Sequence, residues 1–154
     1  MTEWLYGEQG YYATYKTIGK EGDFYTAVST SKFFGGTIAK HIISIIDEGF
    51  LPKDTTICEI GAHKGYLCAD IVQFIYTLRP ELLETLSFVT VERFDFLQAE
   101  QDRYFKESFG DVVKLSHVKS LSELDLDSAF FIANEIFDAF PCELIYKGKM
   151  GSFK

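Results

Sequence analysis

The stretch that decides the fold reads Thr55-Thr56-Ile57-Cys58-Glu59-Ile60-Gly61-Ala62-His63-Lys64-Gly65-Tyr66-Leu67. It begins as a β-branched, apolar run, passes through an acidic residue into a glycine-flanked turn, and continues with apolar residues at helical spacing. A strand, a glycine turn and a helix in this order bring the backbone close to a ligand and point the free N–H groups of the helix at it. The pattern therefore predicts a ligand-binding turn at the carboxyl end of a parallel strand.

Strands and helices alternate along the rest of the chain. Residues 1–30 are rich in Tyr and Gly and show no helical period, whereas 31–154 carry the alternating pattern. Helices are predicted at 31–48, 64–78 and 93–109, and strands at 55–60, 87–92, 111–115, 129–133 and from about 142 to 146. This order predicts an α/β fold with a doubly wound, mostly parallel sheet. Because residues 152–154 would begin another strand, we expect the chain to lack the last strands and to be a piece of a longer protein.

The composition restricts the possible partners. At 154 residues the chain is most simply one domain, and its formal net charge is -8. Phosphate-backbone binding needs clustered Lys and Arg, so nucleic acid is not an expected partner, whereas an acidic surface suits a basic protein. The N-terminus has no signal-peptide pattern, and no apolar run approaches the ~20 residues of a membrane span. We expect a soluble, intracellular protein without membrane insertion.

The three cysteines predict neither a disulfide framework nor a zinc site. Cys58, Cys68 and Cys142 are an odd number, stand in apolar contexts and include no CxxC spacing. They are expected to be reduced, buried thiols in a cytosolic-type compartment. No metal site is predicted.

The acid in the glycine turn favours one class of cofactor. Glu59-x-Gly61-x-x-x-Gly65 differs from the dinucleotide pattern Gly-x-Gly-x-x-Gly. A carboxylate at this point repels a pyrophosphate but attracts an ammonium or sulfonium group. S-adenosylmethionine carries both cations and has no phosphate, so it fits better than NAD, and a NAD-dependent oxidoreductase is disfavoured.

Two further groups of polar residues follow predicted strands. Glu92 ends the strand at 87–92 and can accept hydrogen bonds from a ribose diol; the alternative is an ordinary surface acid. The second group, Asn134-Glu135-x-x-Asp138-Ala139-x-Pro141, follows a very apolar strand. Its carboxylates can hold a guanidinium and help to remove its proton. The alternative is a helix start capped by Asn134.

Together the motifs resemble the MidA-like family of class I S-adenosylmethionine-dependent methyltransferases, which have a Rossmann-like fold. The resemblance is carried by Gly10-Tyr11-Tyr12, Gly22-Asp23-Phe24-Tyr25-Thr26, Phe34-Gly35, Glu59-x-Gly61, Val91-Glu92 and the Asn134–Pro141 motif. Mitochondrial members of the family are arginine methyltransferases that act on a respiratory complex I subunit during assembly. The resemblance implies a protein substrate, and a cytoplasmic location or, for a eukaryotic source, the mitochondrial matrix.

The resemblance also implies roles for individual residues. Residues 1–30 would cover the site, with Asp23, Tyr25 and Thr26 near the donor. The methionine end of the donor would lie at Glu59, Gly61 and Gly65, and the ribose at Glu92. The acceptor would be oriented by Asn134, Glu135 and Asp138.

One residue departs from the family pattern. His63 stands where the family usually has glycine, and a Cβ there would crowd a backbone that passes close to the donor and could require a positive φ. A second hypothesis is therefore a non-catalytic assembly or binding protein that retains the methyltransferase fold.

Overall fold

The computed structural model describes residues 2–12 and 31–142. Asp23, Tyr25, Thr26 and most of the predicted strand at 142–146 lie outside the described residues. The helices are α1 (Thr2–Tyr6), α2 (Phe33–Asp47), α3 (Tyr66–Leu78) and α4 (Asp95–Phe109), and the strands are β1 (Thr56–Ile60), β2 (Ser87–Val91), β3 (Leu115–Val118) and β4 (Ala129–Ile132). Short 3₁₀ turns occupy Pro80–Glu84, Leu121–Glu123 and Phe137–Ala139.

The four strands form one parallel sheet in the order β3-β2-β1-β4. In this register Ile60 of β1 pairs with Val91 of β2, and Glu59 pairs with Ile132 of β4. The carboxyl ends of the three strands therefore lie side by side. The chain moves from β1 outward in both directions, so β1 and β4 flank the switch point at which open α/β sheets bind ligands. The predicted α/β class and parallel sheet are confirmed.

Side chains alternate between the two faces of the sheet. Ile57, Phe88 and Ile132 point to the face covered by α2, α3 and α4, where they join one apolar core with Ile42 and Ile71. The opposite face carries a smaller cluster, formed by Cys58, Val89 and Val91 with Ile60, Val118 and Leu124 packed against it. The helix-covered core fixes the position of the glycine turn, because that turn joins β1 to α3.

Two predicted elements differ from the structure. The third strand lies at Leu115–Val118 rather than at 111–115, because the chain turns after Gly110 and pairing with β2 begins only at Leu115. Val112 is consequently 72% exposed. The N-terminal residues, in which we saw no helical period, form the five-residue helix α1, and Tyr11 and Tyr12 donate backbone hydrogen bonds to Trp4 and Leu5.

The cysteines divide into two kinds. Cys58 and Cys68 are buried, as predicted, and burial raises the pKa of both thiols, that of Cys58 to about 11. The prediction that Cys142 is buried is wrong, since this residue is exposed beyond the 3₁₀ turn at Phe137–Ala139. In the part of the chain that the structure describes, no helix combines the length and apolarity needed to cross a membrane.

Candidate functional site

A cavity of about 470 Å³ opens at the carboxyl edge of the sheet. This volume is within the usual range for small-molecule sites, about 300–1,000 Å³. Most of its lining comes from the turn after β1, the loop after β2, the segment after β4 and the N-terminal residues, and the start of α4 and Lys119 after β3 complete it. The turn after β1 contributes Gly61 and His63, and the loop after β2 contributes Glu92, Arg93 and Phe94. The segment after β4 contributes Glu135, Ile136 and Ala139, and the N-terminal residues contribute Tyr6, Tyr11 and Tyr12.

The turn after β1 has a left-handed backbone at three positions. Gly61, His63 and Gly65 have φ values of 69°, 50° and 76°. Gly61 N–H donates to the Val91 carbonyl at 2.9 Å, which ties the turn to the end of β2. A Cβ on Gly61 would lie 3.1 Å from Ile136 Cδ1, so the glycine lets the turn pass close to the segment after β4. Gly65 lies at the N-cap position of α3.

His63 has the positive φ that its position in the turn was expected to require. Its φ of 50° is one that glycine adopts more easily than histidine. The His63 carbonyl accepts a hydrogen bond from Gln101 Nε2 at 2.7 Å. Burial lowers the pKa of the imidazole, and the charge of Lys64 lowers it further. His63 lines the cavity, and its lowered pKa favours the neutral imidazole at neutral pH.

Glu59 lies on the helix-covered face of β1. Only 5% of it is exposed, and its Oε2 accepts a hydrogen bond from Cys68 N–H of α3 at 3.1 Å. Burial raises the pKa of the carboxyl to about 8; the Cys68 hydrogen bond offsets part of this rise and the charge of Glu92 adds to it. Glu59 is not among the described residues that line the cavity, although Gly61 is. Direct contact of Glu59 with a donor stays a prediction.

Glu92 lies where β2 ends, and the structure places it in the cavity wall. It is 6% exposed, its Oε1 accepts from Phe94 N–H at 3.2 Å, and its carbonyl accepts from Gln98 Nε2 at 2.6 Å. Burial raises the pKa of the carboxyl, whereas backbone hydrogen bonds from Phe94, His63 and Arg93 lower it. The buried carboxylate next to the glycine turn is suited to accept hydrogen bonds from ligand hydroxyls.

The segment after β4 brings one of its three predicted residues to the cavity. Glu135 lines the wall and has a φ of 49°. Asn134 lies in the same turn but is not part of the described lining, and the side chain of Asp138 lies outside the described residues. The 3₁₀ turn that follows has Ile136 at its N-cap position and no side-chain cap. The alternative interpretation of Asn134, as the residue that caps a helix start, is therefore wrong.

Tyr6, Tyr11 and Tyr12 line the cavity. The sequence analysis did not name them as site residues, although Tyr11 and Tyr12 are part of the family resemblance. Tyr6 and Tyr12 stack with their ring centroids 5.4 Å apart, and the Tyr6 hydroxyl donates to the Ala139 carbonyl at 2.6 Å. The Arg93 guanidinium lies 4.9 Å from the Tyr6 ring centroid, within cation–π range. The concentration of tyrosine at positions 6, 11 and 12 is the sequence signal for this part of the site.

Residues 2–12 and 31–142 contain no candidate metal-binding site. No group of three or more His, Cys, Asp or Glu residues lies there in an arrangement that could hold a metal ion.

The fold and the cavity define a class of protein. A parallel α/β sheet whose central strand ends in a glycine turn, with a buried acid after the neighbouring strand, is the arrangement of nucleoside-cofactor proteins. Residues 37–154 match the family model described as "Putative S-adenosyl-L-methionine-dependent methyltransferase". The chain belongs to this family.

Curated relatives resemble the chain over nearly its whole length. It is 25% identical to the protein arginine methyltransferase NDUFAF7, mitochondrial, of Xenopus tropicalis over 93% of the chain. The corresponding protein of Bos taurus is also 25% identical over 93% of the chain. The chain spans only 37% and 36% of the lengths of these two relatives.

Two solved structures share the fold. A superfamily member from Burkholderia thailandensis bound to S-adenosyl-homocysteine superposes with a TM-score of 0.70 at 22% identity, over 88% of this chain and 35% of that one. A native structure from the same organism gives a TM-score of 0.65 at 23% identity, over 91% and 34% of the two chains. At this level of identity the likeness establishes the architecture.

Proposed function

We propose that this chain carries the donor-binding part of an S-adenosylmethionine-dependent methyltransferase whose acceptor is an arginine of a protein. The observation that supports this most directly is that Gly61, Glu92 and Glu135 line one cavity, although they follow three different strands. The residues fit the cofactor: an open glycine backbone, a buried carboxylate for the ribose, and a neutral His63 ring.

The donor supplies a methyl group on a sulfonium when it is bound. In the proposed mechanism the turn at Gly61–Gly65 holds the methionine end and Glu92 accepts hydrogen bonds from the ribose hydroxyls. Glu135, with Asn134 and Asp138, orients the acceptor guanidinium through charge-assisted hydrogen bonds, and the Glu135 carboxylate accepts its proton. Most of the rate would come from the way these residues hold the donor and the acceptor together.

The acceptor class rests on the relatives and on charge. The curated relatives are named protein arginine methyltransferases. The net charge of -8 favours a basic protein as substrate. A subunit of respiratory complex I, which the family resemblance suggests, is the first such protein to test.

Calorimetry and mass spectrometry test the proposal in two steps. The purified protein should bind S-adenosylmethionine, and it should methylate an arginine-containing basic peptide but not the same peptide with lysine in place of arginine. Glu135→Gln should retain donor binding and lose transfer about 100-fold or more, the usual size of a general-base effect. Glu107→Gln, an exposed residue of α4, is the matched control and should leave both unchanged. Absence of binding at millimolar donor would overturn the proposal.

A second candidate is a non-catalytic binding or assembly protein, and the left-handed His63 is the observation that favours it. The variant His63→Gly separates the two. A large gain in donor affinity on this substitution would support a site that has lost its function. Tight donor binding that the substitution leaves unchanged would support an active enzyme.

A further inference from the structure

Two glutamines of α4 hold the backbone of the cavity wall. Gln98 Nε2 donates to the Glu92 carbonyl at 2.6 Å, and Gln101 Nε2 donates to the His63 carbonyl at 2.7 Å. Residues three apart on a helix lie on the same face, so the two amides act side by side. One helix thereby fixes both the loop after β2 and the turn after β1.

The Gln101 amide is itself held in one orientation. Its Oε1 accepts a hydrogen bond from the Thr90 hydroxyl at 2.8 Å, and both residues are fully buried. Because the hydroxyl proton is used in this bond, Thr90 Oγ1 accepts from His117 Nδ1, which lies 2.7 Å away. On the other side of the ring, His117 Nε2 lies 2.9 Å from Asp102 Oδ1. The chain of hydrogen bonds leaves Nε2 of Gln101 facing the turn.

Packing alone does not require these contacts. An apolar side chain of similar length would fill the space at Gln101 equally well, but it would leave the His63 carbonyl without this donor. Gln101 also limits the turn sterically, since its Cγ would lie 3.1 Å from a Cβ on Gly65. The residue therefore meets the turn at two of its three left-handed positions.

We propose that Gln98 and Gln101 are positioning residues for the methyl donor. Gln101 sets the turn at His63 against the methionine end, and Gln98 sets the loop at Glu92 against the ribose. This inference deepens the proposed function and rests on it.

Two ligands that differ only at the methionine end test the assignment. S-adenosylhomocysteine has the amino-acid end, whereas methylthioadenosine retains the adenosine and sulfur but lacks it. By calorimetry, Gln101→Met should weaken S-adenosylhomocysteine about tenfold or more and methylthioadenosine by less than about twofold. Gln98→Met should weaken both ligands, each by about tenfold. Gln73→Met, an exposed glutamine of α3, is the matched control and should change neither.

A general structural role predicts a different result. If Gln101 only stabilises the fold, its variant will lower the melting temperature and weaken both ligands equally, and that outcome would overturn the inference. If Gln101→Met does not fold, Thr90→Val removes the hydroxyl that orients the amide while keeping the side-chain shape. It should show the same ligand-selective loss, and Thr90→Ser should not; equal behaviour of the two variants would also overturn the inference. Wild-type protein that binds neither ligand would overturn the proposed function as well.

Discussion

Replacement of Glu59 by glutamine should make the stability of the protein less dependent on pH. Burial raises the pKa of the Glu59 carboxyl from 4.5 to about 8. The folded chain therefore holds the proton more tightly than the unfolded chain. The stabilisation is fully present below the unfolded value and is lost as the pH rises through the folded value. Between the two values each pH unit is worth about 1.4 kcal/mol, so going from about pH 6 to about pH 9 removes about 3 kcal/mol.

Glu59→Gln keeps the shape of the side chain and an oxygen that accepts from Cys68 N–H, but it has no charge to bury. The free energy of unfolding of the wild type should therefore fall more than that of the variant as the pH rises over this range. The difference between the two decreases should be about 3 kcal/mol. The Glu59 charge also raises the pKa of the Cys58 and Cys68 thiols, so the difference between the two proteins measures Glu59 together with its effect on these neighbours.

Urea denaturation of both proteins without ligand, at about pH 6 and about pH 9, measures the two free energies of unfolding. Parallel pH dependences would refute the reasoning. They would mean that Glu59 ionises in the folded protein as readily as in the unfolded chain.

Three glycine substitutions test the packing and the turn. Gly35 lets α2 approach α3, and a Cβ there would lie 2.6 Å from Asp70 Cβ; Gly35→Ala should cost about 1–3 kcal/mol in urea denaturation. Gly49→Ala meets nothing within 4 Å but has a φ of 76°, so it should cost about 1 kcal/mol from the backbone alone. A smaller loss at Gly35 than at Gly49 would contradict the packing argument. Gly61→Val combines a φ of 69° with the 3.1 Å approach to Ile136 and should weaken S-adenosylhomocysteine about tenfold or more in calorimetry; unchanged affinity would refute a donor at this turn.

The parts of the fold that could be predicted depend on local patterns. The β-branched run before Gly61 forms the buried strand β1, and the apolar run Ala129–Ile132 forms β4, which is only partly buried and leaves Phe131 51% exposed. Glu92 could be predicted as a site residue because its position at a strand end already places it at the ligand edge of the sheet. The third strand was misplaced because Val112 and Val113 have high β propensity, whereas pairing with β2 decides where the strand begins.

The rest of the site depends on contacts between residues distant in sequence. The hydrogen bond from Tyr6 to Ala139 joins residues 133 positions apart, and that from Gln101 to His63 spans 38 positions. A glutamine on an amphipathic helix carries no local signal that distinguishes a buried donor from a solvated side chain. Only the packing of α4 against the sheet places the buried Gln101 behind the turn, where its amide holds the His63 carbonyl.

Backbone strain marks the site more specifically than glycine does. In the described part of the chain, His63 and Glu135 are the non-glycine residues with positive φ, and both line the cavity. Each conformation costs about 1–2 kcal/mol, and such costs persist where the surrounding structure holds the residue in place. Gly49 and Gly110 also have positive φ, yet neither belongs to the cavity, so positive φ at glycine is no indicator of function. The two strained residues follow β1 and β4, one proposed to meet the donor and the other the acceptor. Because both strands end at the switch point of the sheet, the strain lies where the proposed methyl transfer would take place.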